Sequence, residues 1–126
     1  MNTTTNKEEK QSGLAKAEHA APCLAIHTSP QSSFLLPYYH FLGGEFERPA
    51  DRKEHEVLIL EFALHTVQIK GFGLEAVFKA VQFHKAKTLA PSPVGLEAAT
   101  VIVEISAFYR SPNLDTQAAE DTGDRN

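Results

Sequence analysis

The stretch from Glu56 to Lys85 constrains the fold most, because its hydrophobic period changes midway. In EVLILEFALHTVQIKGFG, Leu58, Leu60 and Phe62 alternate with Val57, Ile59 and Glu61, and Val67 and Ile69 alternate with Thr66, Gln68 and Lys70. Successive strand residues point to opposite faces, so this alternation predicts two half-buried strands. They form an antiparallel hairpin turning near Ala63 to His65, although no Asn-Gly or Asp-Gly pair marks the turn. Leu58, Leu60, Phe62, Val67 and Ile69 then face the core, with Glu61, Gln68 and Lys70 on the wetter side. After Gly71 and Gly73, LEAVFKAVQFHK places Leu74, Val77, Phe78 and Val81 at i, i+3, i+4 and i+7, one stripe of a helix over about residues 74–85. Glu75 and Lys79 form an i, i+4 pair in the favourable order. The stripe has to lie on the apolar face of the hairpin, since neither surface is stable in water.

Weaker strands flank this unit. TVIVEISAFY, residues 100–109, is strongly β-branched. It reads as a long, central or near-central strand with Val101, Val103, Ile105 and Ala107 on one side and Ile102, Glu104, Ser106 and Phe108 on the other. CLAIH at 23–27 and SFLL at 33–36 are two more strands, residues 47–56 are a charged loop, and Ala86 to Ala90 is a short edge strand. The order β, β, β, β, α, β, β gives an α+β fold: a mainly antiparallel sheet with one amphipathic helix packed on it.

Residues 1–21 and 111–126 are polar and low in large apolar groups, too little to offset the entropy of ordering, and are expected to be disordered tails. One globular domain, residues 22–110, remains. The chain carries a formal net charge of −4. Lys and Glu balance in the first tail, and the second holds Asp115, Glu120, Asp121 and Asp124 against Arg125, leaving the domain near neutral. A protein that grips phosphates needs a basic excess, so nucleic acid is a weak candidate partner. The single Cys excludes an intrachain disulfide. The absence of a long apolar run argues against a membrane span, and the polar first residues against a secretory signal; a cytoplasmic setting is expected.

Little in the sequence points to catalysis. His27, His40, His55, His65 and His84 lie in the domain, but none has a metal-binding spacing such as H-x-x-x-H, so no metal and no cofactor is expected. His65 suits a turn cap and His84 the end of the helix. Cys23 sits among Pro22, Leu24, Ala25 and Ile26, an apolar setting that suits a structural thiol. Gly71-Phe72-Gly73 before the helix is better explained by a turn than by anion binding. For an enzyme, His40, Glu61 and His65 are the weak polar candidates for acid–base work. A single-stranded nucleic-acid binder would use Lys70, Lys79, Lys85 and Lys87, although a solvated helix face explains these as well.

At LLPYYHFL and LILEFALHTVQIKGFGLEAVFKAVQFHK, residues 35–85, the chain resembles a group of short, uncharacterised bacterial proteins. They share Leu-Pro-Tyr-x-x-Leu, two strands carrying His-Thr-Val-x-Ile-x-Gly, and a Leu-led helix ending near a His. Phe41 stands here at the last place of the first motif. The resemblance implies a shared fold and carries no activity over.

The unusual segment is SFLLPYYHFLGGEF, which holds more large apolar side chains than one strand face and a turn can bury. Pro37 keeps it out of a central strand. Core packing accounts for part of it. The excess points to a contact surface formed by Leu36, Tyr38, Tyr39, Phe41 and Phe46, used for homo-oligomers or another protein partner. The expected function is therefore a small non-catalytic binding or self-association module.

Overall fold

A computed structural model describes residues 13–51 and 53–109. The elements are β1 (Leu14–Lys16), β2 (Cys23–Ser29), β3 (Ser32–Pro37), a 3-10 turn (Tyr38–His40), β4 (Phe41–Glu47), β5 (Glu56–Phe62), β6 (His65–Phe72), α1 (Glu75–Gln82), β7 (Ala86–Leu89) and β8 (Val101–Tyr109). The architecture is α+β. The strands form two four-stranded sheets, ordered β1-β7-β2-β3 and β4-β5-β6-β8. Every pairing is antiparallel except β2 with β7. The two sheets and the helix share one core.

The hairpin is β5–β6, with Glu61 opposite Thr66 and Leu58 opposite Ile69. Leu58, Leu60, Phe62, Val67 and Ile69 are all buried, as their alternation requires. On α1, Val77, Ala80 and Val81 are buried together with the N-cap residue Leu74, while Phe78 is half-buried against Phe46. No side chain of the N-cap residue closes the first turn. Instead the Glu56 carboxylate accepts the Leu74 N–H at 2.8 Å, putting negative charge at the positive end of the helix. The helix ends in a Schellman motif: His84 adopts φ 59°, its N–H reaches the Val81 carbonyl, and the Lys85 N–H reaches the Ala80 carbonyl.

Several expectations need correction. The domain starts earlier than residue 22, because Leu14 pairs with Leu89 and is buried. The expected tail segments 1–12 and 111–126 lie outside the described residues. Strand β7 is interior rather than an edge, held between β1 and β2. Strand β8 is an edge of its sheet, not central. Its two faces also exchange along its length: Lys70 pairs with Glu104 but Gly71 with Ile102, a bulge that turns both Ile105 and Ile102 inward. Gly71 is required there, since a Cβ on it would lie 2.0 Å from the Val101 carbonyl oxygen. Finally, FLGGEFE is a strand, β4, paired with β5 with one irregularity between Phe41 and Gly43.

Candidate interaction surface

The segment from Leu35 to Phe46 turns a corner between the two sheets. Pro37 ends β3, the 3-10 turn follows, and β4 enters the second sheet. Tyr38 fixes the corner from inside. Its hydroxyl donates to the Ala86 carbonyl, its ring stacks on His84 at 4.4 Å, and only 3% of it is exposed. Burial pushes the hydroxyl pKa well above its ordinary value. Leu36 is likewise buried, at 4% exposure. Neither residue can meet a partner, which corrects their expected place in a contact surface. The sequence motif marked the corner, but period-2 counting could not tell which of its side chains the turn sends inward.

The other candidates divide. Phe41 packs on Phe62 at 5.3 Å and Phe46 on Phe78 at 6.2 Å, with the Arg48 guanidinium 5.3 Å from the Phe46 ring. Both are half-buried at the rim of the core. Tyr39 projects into solvent, 85% exposed, and Leu35 and Leu42 on either side of the turn are 69% and 65% exposed. Leu35 and Leu42 were not singled out from the sequence. Leu35 was legible in its alternation with the buried Leu36, but Leu42 left no such signal, since it falls in the irregularity between Phe41 and Gly43.

The polar candidates gather at the same end of the molecule. The Ala63 N–H donates to the His40 carbonyl, and the Tyr39 ring meets His40 edge-on at 4.5 Å. The Thr66 hydroxyl donates to the Glu61 carboxylate at 3.3 Å. His65 lies between Phe34 and Tyr109, at ring distances of 5.4 and 5.7 Å. These contacts engage His40, Glu61 and His65 in turn and strand packing. The hollows beside Arg48, Leu35 and His27 involve none of the three. Among the described residues, no three His, Cys, Asp or Glu side chains converge as metal ligands do.

The four lysines do not form one patch. Lys70 faces Glu104 across β6 and β8, Lys79 pairs with Glu75 at 3.2 Å, Lys85 donates to the Glu18 carbonyl at 2.7 Å, and Lys87 borders the trough beside Leu35. That trough, about 600 Å³ on the outside of the first sheet, has an apolar floor including Ala21, Cys23, Ala25 and Leu35. Lys79 holds the exposed Glu75 carboxyl below its ordinary range, with Arg48 adding to the effect. No helix among the described residues is long and apolar enough to cross a membrane. Compared with protein-family models, curated proteins and solved structures, the chain matches none.

Proposed function

We propose that this protein is a small non-catalytic protein-binding module, and that its contact surface is the corner carrying Leu35, Tyr39 and Leu42. The observation that supports this is the exposure of all three on one short segment that also ends both sheets. Covering three such side chains is worth roughly 1.5–3 kcal/mol each in apolar burial. Association costs on the order of 4–15 kcal/mol in lost freedom, so a contact of this size is reversible rather than permanent. The same corner on a second copy offers the same chemistry, which makes self-association the simplest use of it.

Sedimentation velocity over a concentration series tests the reading. The wild-type weight-average mass should rise with concentration, and Tyr39→Asp should hold it at the monomer value with little change in melting temperature. A wild type that stays monomeric at the highest concentration sinks self-association.

A further inference from the structure

We infer that β3 is the pairing edge: a second copy of this chain adds its β3 antiparallel, about a two-fold axis at Phe34, joining two copies of the first sheet into one of eight strands. This rests on the binding-module reading and names its partner.

The four sheet edges differ in how open they are. Strand β1 has three residues and a register irregularity between Ala15 and Lys16, so its free border is short and uneven. On β8, Ser92 covers the border at Ile102, its N–H donating to the Ile102 carbonyl at 2.7 Å and its hydroxyl accepting the Ile102 N–H at 2.9 Å, and the bulge between Glu104 and Ile102 bends the rest of the strand, a device that disfavours edge pairing. Strand β4 is open. The Ala63 N–H to His40 carbonyl bond sets its alternation, which with the register past the Phe41–Gly43 irregularity leaves the backbone groups of Gly44 and Phe46 pointing away from β5. Glu45 and Glu47 guard it, however, since two copies of β4 would bring four carboxylates into neighbouring rows.

Strand β3 has no such guard. The Tyr38 N–H donates to the Pro22 carbonyl, so Leu36 and Phe34 direct their backbone groups at β2, and Ser33 and Leu35 direct theirs outward. Both residues are exposed. Pro37 also faces outward, where its missing N–H costs nothing. Between Ser32 and Pro37 there is no charge. In the proposed register Ser33 of each copy lies opposite Leu35 of the other, and the two residues exchange both backbone hydrogen bonds. That satisfies every outward group from Ser33 to Leu35. The two Leu35 side chains become diagonal neighbours on the outer face, and the troughs beside them merge into one apolar floor. A single added strand buries less than the roughly 1,200 Å² of a standard interface, so the dimer is weak and concentration-dependent.

The test compares wild type with Ser33→Pro by sedimentation velocity, from roughly micromolar to millimolar protein. The substitution removes an outward N–H and places a ring carbon in the path of the second strand, while the ladder to β2 keeps its bonds. Dimer formation should weaken at least tenfold, with circular dichroism and melting temperature nearly unchanged. Leu35→Asp should weaken it as well, by setting two carboxylates diagonally across the axis, and it decides the matter if Ser33→Pro does not fold. Folded variants that dimerise as tightly as wild type overturn β3 pairing. If Tyr39→Asp alone then abolishes the dimer, the binding-module reading survives without the edge; if no variant affects association, both fall.

Discussion

Tyr38→Phe isolates one buried hydrogen bond without opening a cavity. The ring keeps its stack on His84, and only the hydroxyl that donates to the Ala86 carbonyl is lost. Ala86 is fully buried, so its carbonyl loses a partner that water cannot replace. A cost of about 1–2 kcal/mol follows, which in a domain of this size lowers the melting temperature by roughly 5–15 °C. The pH dependence is a second, sharper test. The unfolded hydroxyl titrates at its ordinary value of 10.0, whereas the folded one is raised. Below pH 10 both states keep the proton and the wild-type advantage is complete; above it the unfolded state releases the proton first, and stability falls by about 1.4 kcal/mol per pH unit. Other groups titrate equally in both proteins and cancel in the difference. Urea unfolding of wild type and variant at pH 7 and between pH 10 and 11 should therefore show a gap that narrows with alkali. Equal stabilities at pH 7, or a gap that stays constant to pH 11, would refute the reasoning.

Two further outcomes check other parts of the fold. A chain beginning at Ala17 should be about 2 kcal/mol less stable to urea than one beginning at Gly13, because the shorter chain lacks the buried Leu14; equal midpoints would show that β1 contributes nothing. Gly71→Ala should cost more than about 3 kcal/mol, since its Cβ meets the Val101 carbonyl, while Gly95→Ala, with φ +80° but open space around it, should cost about 1 kcal/mol. Similar melting temperatures for these two variants would contradict the close approach of β6 and β8.

The hairpin and the helix were legible because each carries its period over enough residues to exclude the other. Strand β1 was not, since a three-residue strand with one large apolar side chain has no period at all. Strand β4 was hidden by Gly43 and Gly44, which carry no side chain to alternate, and by Glu45, which sits where an edge strand tolerates charge. The faces of β8 were misassigned on either side of Val103, because a bulge is set by the neighbouring strand and leaves no mark in the strand's own alternation. Alternation also shows which side chains go inward but not what they meet, so two sheets read as one. At the candidate surface, the apolar excess from Phe34 to Phe46 was visible, but its division was not. Tyr38 and Tyr39 are chemically identical neighbours, and only the 3-10 turn decides that one enters the core and the other leaves it.

The position of β7 between β1 and β2 has a consequence for synthesis on the ribosome. Leu14 is made before its partner Leu89, which follows it by on the order of seventy-five residues, about 4–15 s of elongation at ordinary rates. Throughout that interval β2 and β3 can form their local hairpin, but the side of β2 that β7 will occupy is bare, as is the outer side of β3. The nascent chain thus passes through a stage with two unpaired borders, and the arrival of β7 shuts one of them. Of these two borders, the one along Ser33 and Leu35 is still unpaired among the described residues once β7 is in place.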